Sequence, residues 1–129
     1  MKAFDLVQMA ADARLKAYAP YSNFKVGAAL RAATGEIFTG GNVENVSYGL
    51  TICAERVAVG SAVQAGVSEF DGLAIVTDSA EPVVPCGACR QVLAEFCPDL
   101  PIVSRTVSGL TAEFALSTLF PKPRQGIVG

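Results

Sequence analysis

Three cysteines and one glutamate are the residues of this chain whose types and spacing point to chemistry. Cys53 opens the segment Cys53-Ala54-Glu55-Arg56, and Cys86 and Cys89 fall in Pro85-Cys86-Gly87-Ala88-Cys89. All three lie at predicted helix starts, where free N–H groups and the positive end of the helix dipole favour a thiolate. The C-x-x-C spacing places two sulfurs on one metal, and Cys53 supplies a third. Cys97, the remaining cysteine, follows Cys89 along the same predicted helix at about 12 Å, given ~1.5 Å of rise per residue. Metal–sulfur bonds are roughly 2.3 Å long, so Cys97 cannot share that metal and is read as structural. Three protein ligands leave the fourth position of a tetrahedral zinc open, as in a catalytic site. Glu55 is the nearest carboxylate in sequence. In the first turn of a buried helix its pKa would rise, letting it move protons near neutrality. Three thiolates also give the zinc an excess of negative charge, which weakens its effect on bound water. The two helix N-termini and Arg56, able to donate hydrogen bonds to sulfur, offset that charge.

The rest of the composition narrows the chemistry further. The chain has no histidine, so no Ser-His-Asp or Cys-His unit and no imidazole-ligated metal can be built from it. At 129 residues it is expected to form one domain spanning 1–129. A hydrophobic content of 51% and a mean hydropathy of +0.41 exclude a disordered chain. A formal net charge of -2, with the basic residues scattered, argues against a nucleic-acid partner. Asp5, Asp12, Arg14 and Lys16 interrupt the N-terminal segment, which lacks the apolar core of a signal peptide. No apolar run approaches the ~20 residues needed to span a membrane. A cytoplasmic protein with reduced cysteines is expected.

The elements that must position these residues are also visible. Leu6, Met9, Ala10, Ala13 and Ala17 form one helical face, closed by Pro20. Residues 25–32 and 36–39 read as a hairpin around Thr34-Gly35, followed by a polar loop over 40–45. Residues 53–65 read as a helix apolar nearly all round and therefore buried. The continuous apolar run in 70–77 suits a central strand covered on both faces. Cys89, Val92, Leu93 and Phe96 predict a helix ended by Pro98, and 101–105 a fourth strand. Residues 110–119 hold a weak fifth strand or a turn with a short helix. Strands three and four, joined through a helix, must run parallel. The fold expected is a three-layer α/β/α sandwich on a mixed, about five-stranded sheet.

The two cysteine segments, the second extended by Arg90-Gln91, resemble the two zinc motifs of cytidine deaminases in their small, homotetrameric three-cysteine form. Ala19-Pro20-Tyr21-Ser22-Asn23-Phe24 with Val26-Gly27-Ala28, and Gly41-Asn42-Val43-Glu44-Asn45, add two more matches in the same order. The resemblance implies one zinc per chain on Cys53, Cys86 and Cys89. It implies that Glu55 takes a proton from zinc-activated water, which attacks C4 of the cytosine ring. Glu55 then passes protons to N3 and to the leaving amine. Cytidine and deoxycytidine would become uridine and deoxyuridine plus ammonia, as in pyrimidine salvage. Asn42 and Glu44, on one face of an extended segment, would hold the ribose 3'-hydroxyl. Phe24 would pack beside the nucleoside, the Ala54 N–H would meet the pyrimidine carbonyl, and Tyr48 would reach a neighbouring subunit's site. The plainer alternatives are a solvated loop for Asn42 and Glu44, ordinary core for Phe24, and a surface or interface salt bridge for Arg56.

One departure concerns the C-terminal region. The family there commonly runs Leu-Leu-Pro, two residues, then an aromatic that stacks on the base. In Leu119-Phe120-Pro121-Lys122-Pro123-Arg124 that place falls to Arg124, whose guanidinium plane can also stack. This leaves room for a modified cytosine nucleoside, such as a blasticidin-type antibiotic, as substrate. A thiol–disulfide oxidoreductase built on Cys86-Gly87-Ala88-Cys89 is the alternative from another class. It leaves Cys53 and Glu55 without a role.

Overall fold

The computed structural model of the protein describes residues 3–124. Its centre is a five-stranded sheet of β1 (Val26–Ala32), β2 (Ile37–Gly41), β3 (Phe70–Thr77), β4 (Pro101–Thr106) and β5 (Thr111–Ala115), in the order β2-β1-β3-β4-β5. β3 and β4 are parallel and every other neighbouring pair is antiparallel. The parallel pair is the one joined through a helix, and the hairpin is the antiparallel β1–β2 pair. Successive side chains of a strand leave opposite faces, which gives two cores. On one face Leu6, Val7 and Ala10 of α1 (Ala3–Arg14) pack with Ala29, Ala74 and Val76. On the other, α2 (Ala54–Gln64) and α3 (Gly87–Phe96) bring Ala58, Ala62 and Leu93 against Leu30, Leu73, Ile75 and Ile102. The sandwich therefore has three layers. In β3 only Asp71 is exposed, as a central strand covered on both sides requires.

Close packing depends on two glycines. A Cβ on Gly27 would lie 1.9 Å from the Ala10 carbonyl oxygen, so only glycine lets α1 settle on β1. A Cβ on Gly40 would lie 2.5 Å from the Ala54 oxygen and 2.7 Å from the Ala58 nitrogen, so the first turn of α2 rests directly on β2.

Three expectations need correction or completion. The first helix ends at Arg14, well before Pro20. Turns from Asp12, Ala13 and Arg14 close it, and Tyr18 is drawn into main-chain pairing with Asn42 (2.8 Å) and Glu44 (2.8 Å). Ala17, in register with the helical face, packs against Gly41 instead. α2 is not buried all round: Gly60, Ser61, Val63 and Gln64 are exposed, because its alanines face the sheet and no element among the described residues covers its outer side. Residues 110–119 hold both alternatives, strand β5 and a one-turn helix α4 (Leu116–Leu119). No helix among the described residues is long and apolar enough to cross a membrane.

Candidate active site

The N-termini of α2 and α3 meet on the same face of the sheet, and that meeting gathers the cysteines. Cys53 is the N-cap residue of α2 and Cys86 that of α3, both with extended backbone. Neither side chain caps its helix, so both thiols stay free for other partners. Cys89, in the first turn of α3, is fully buried. The Cys53 and Cys86 sulfurs are 3.8 Å apart, and all three sulfurs lie within 4.8 Å of one another. Tetrahedral bonds of roughly 2.3 Å would set such sulfurs about 3.8 Å apart, so the donor set and its spacing fit zinc. Cys97, the C-cap residue of α3, stands outside the cluster.

Charge in the cluster is uneven. The Cys53 thiol is brought down to about 5, first by hydrogen bonding with Cys89 and then by Arg56 and Cys86. Cys89 moves the other way, raised by the same contact with Cys53 and by burial. The contact between the two thiols thus favours the thiolate on Cys53 over one on Cys89. Arg56 donates from Nη2 to Cys53 Sγ at 3.4 Å and to the Thr51 carbonyl at 3.4 Å. The Cys53 sulfur in turn holds the guanidinium more firmly charged. Among the described residues Arg56 makes no ion pair with a carboxylate. Glu55 is only 6% exposed, and burial pushes its carboxyl up to about 7. Its own backbone N–H opposes that shift and the Cys53 charge adds to it.

Asn42 and Glu44 are buried, so the solvated-loop alternative fails for both. Asn42 Oδ1 accepts from the Val26 N–H at 2.8 Å and Nδ2 donates to the Phe24 carbonyl at 2.9 Å. Glu44 accepts from the N–H groups of Tyr21 (3.0 Å) and Ser22 (3.2 Å) and from the Ser22 hydroxyl. That hydroxyl first, with the two N–H groups, holds the Glu44 carboxyl below the usual carboxylate range, against burial, which raises it. Together the two side chains clamp the loop that carries Phe24. Phe24 is 38% exposed, so it is loop and not core. Ala54 is fully buried, and its N–H belongs to the first helical turn, where no intrahelical acceptor exists. Tyr48 lies in a 3-10 turn (Tyr48–Leu50), exposed, its ring edge-on to Tyr21 at 6.4 Å.

Arg124 is exposed, and among the described residues its side chain makes no hydrogen bond or ion pair. Its backbone is held by Gln91, which donates to the Arg124 carbonyl at 3.0 Å and accepts from its N–H at 3.3 Å. Sequence reasoning assigned nothing to Ser22, Arg90 or Gln91. All three stand inside recognisable motifs, but their partners lie up to 33 residues away and only folding reveals them. Cavities of 340, 400 and 420 Å³ lie along α1 and beside β2 and β4, and none of the three is lined by Glu55 or the clustered cysteines.

A three-thiol cluster at two helix N-termini, with a buried non-ligand glutamate and an α/β/α sandwich behind it, defines the class of zinc-dependent deaminases. The chain belongs to the cytidine and deoxycytidylate deaminase family, whose zinc-binding region matches residues 2–104. A cytidine deaminase of Halalkalibacterium halodurans is 47% identical over 90% of this chain and 89% of its own. The crystal structure of cytidine deaminase from Burkholderia pseudomallei superposes with a TM-score of 0.93 at 46% identity, covering 96% of this chain and 100% of that one. A blasticidin-S deaminase of Bacillus cereus is more distant, at 35% identity over 74% of each chain.

Proposed function

We propose that this protein is a zinc-dependent cytidine deaminase of one domain, converting cytidine and deoxycytidine to uridine and deoxyuridine with release of ammonia, in pyrimidine salvage in the cytoplasm. The observation that carries the proposal is geometric: three sulfurs spaced for one metal, with the buried Glu55 carboxyl, pushed up by that burial, two residues after one of them. Cys53, Cys86 and Cys89 would hold one zinc per chain, which supplies a Lewis acid that makes water a nucleophile near neutrality. The remaining work falls to the chain's own groups. A carboxyl that titrates near neutrality can take a proton from the attacking water and later give protons to N3 and to the leaving amine. Arg56, donating to Cys53 Sγ, offsets the excess charge of three thiolates. The Ala54 N–H is available to the pyrimidine carbonyl.

Hydrogen-bond capacity supports a sugar hydroxyl at Asn42 and Glu44. A carboxylate has about four acceptor sites, and three of Glu44's are taken by Tyr21 and Ser22. An amide has two N–H donors, and one of Asn42's is taken by Phe24. One donor on Asn42 and one acceptor site on Glu44 thus remain, enough to meet both sides of a hydroxyl. The same pairing favours an ordinary ribose over a blasticidin-type substrate. Phe24, exposed on the clamped loop, is placed to lie beside the nucleoside, and the uncommitted Arg124 guanidinium is free to stack. A thiol–disulfide exchange role for Cys86 and Cys89 is disfavoured because Cys53 completes a three-sulfur set with them. A homotetramer, with Tyr48 reaching a neighbour's site, is supported by the exposure of Tyr48, Val46 and Leu50.

The test is an absorbance assay for loss of cytidine, run beside deoxycytidine, a cytosine-ring antibiotic and cytidine monophosphate. Glu55→Gln is expected to keep about one zinc per chain and lose at least ~10³-fold in kcat, within the range for a general acid–base group. Normal turnover in that variant would overturn the mechanism, and preference for the antibiotic would overturn the substrate.

A further inference from the structure

We infer that Arg90 is a positioning residue for the Cys86 ligand loop and that it ties this loop to the end of α4, an inference that rests on the zinc reading above. Arg90 follows Cys89 on α3, and its side chain turns back along the helix. Nε donates to the Pro85 carbonyl at 2.7 Å and Nη1 to the Leu119 carbonyl at 3.4 Å. Pro85 is fully buried. Its carbonyl is half of the planar peptide unit whose other half is the Cys86 nitrogen. Fixing that oxygen fixes the plane from which the Cys86 side chain departs, and so the direction in which its sulfur is offered.

The placement is costly unless it serves the loop. A cation in the first turns of a helix opposes the macrodipole, yet among the described residues Arg90 has no carboxylate partner. Its charge is met by two main-chain carbonyls from separate segments. A rigid planar fork holds two such acceptors in fixed directions, whereas the donors of a lysine ammonium rotate freely on a flexible stem. The next residue repeats the attachment, since Gln91 binds the Arg124 backbone in both directions. The segment from Leu119 to Arg124 is thus moored to the helix turn that carries two of the three sulfurs.

The experiment uses the full-length holoprotein with zinc replaced by cobalt(II), whose thiolate charge-transfer and d–d bands report ligand geometry without turnover. Arg90→Ala is expected to shift those bands, to speed zinc release to a chelator by about tenfold, in line with losing an outer partner of a ligand, and to lower kcat more than it raises KM. Hydrogen exchange over residues 116–124 should accelerate in the same variant. Arg90→Lys, which keeps the charge and most of the stem, should fold like the parent yet show the same band shift, so the test survives if Arg90→Ala does not fold. Arg105→Ala, on β4, is the control and should change none of these. Parental cobalt bands and zinc release in the Arg90 variants would overturn the inference, whether or not stability falls. Faster exchange at the C-terminal segment alone would reduce Arg90 to a tether and overturn it too. If the unsubstituted protein binds no stoichiometric cobalt or zinc, the zinc reading fails first and takes this inference with it.

Discussion

Glu55 is held in the fold at a thermodynamic cost that the metal-free protein should reveal. Its ordinary value of 4.5 rises to about 7 on burial. Between those two values the folded state keeps a proton that the unfolded state has released, so stability falls as pH climbs from about 4.5 to about 7. At roughly 1.4 kcal/mol per unit the full loss is about 3 kcal/mol. Glu55→Gln removes the titration and keeps the shape. In denaturant unfolding of the zinc-free proteins, the variant should match the parent near pH 4 and exceed it by about 3 kcal/mol at pH 8. Parallel stability curves across that range would show that burial does not govern this carboxyl. The residues of the cluster were legible in the sequence because their chemistry is local: thiols at helix starts and a carboxylate two residues along from one of them. The loop clamp was legible only in part. Asn42 and Glu44 stood out, but the partners that exhaust most of their bonding capacity, Ser22 and the Tyr21, Phe24 and Val26 backbone, lie 16 to 23 residues away.

At the scale of elements, the cluster depends on α2 and α3 arriving at the sheet in register. For α2 that register is set by Gly40. A methyl group there meets the Ala54 oxygen at 2.5 Å and the Ala58 nitrogen at 2.7 Å, backbone atoms that can give way only if the helix moves. Gly40→Ala should cost about 1–3 kcal/mol, as overpacking does, and should also shift Cys53 and Glu55 away from Cys86 and Cys89. Gly60 lies on the outer face of the same helix, and a Cβ added there would meet nothing within 4 Å. Gly60→Ala should therefore gain about 0.5–1 kcal/mol from helix propensity. Thermal unfolding with zinc titration separates the two, and undiminished zinc affinity in Gly40→Ala would show that the contact does not set the site. Strand β3 was read at its full extent because a doubly covered strand is apolar throughout. The end of α1 was misread because Ala17 obeys the helical period while a non-local pairing of Tyr18 takes over the backbone. The outer face of α2 was misread because small apolar residues do not reveal whether anything covers them.

At the scale of the whole molecule, the segment between β2 and α2 presents Val43, Val46, Tyr48, Leu50 and Ile52 to solvent, at 43 to 78% exposure. No charged residue lies between Val46 and Ile52, and an exposed apolar cluster of this kind marks an interaction surface. It was illegible in the sequence, where the same residues read as an ordinary loop and only the fold decides that nothing among the described residues covers them. Sedimentation equilibrium should give four times the 13.4 kDa chain mass. Leu50→Asp should lower that mass, because a charge buried in an interface without a partner is heavily penalised. Its activity per bound zinc should fall in parallel if Tyr48, on the same turn, reaches a neighbouring site as proposed above. Leu110→Asp, on an exposed position in another loop, should change neither. Full activity in a monomeric Leu50→Asp protein would remove Tyr48 from the active site and leave each chain catalytically self-sufficient. Full activity in a variant that is still tetrameric would place the assembly surface elsewhere.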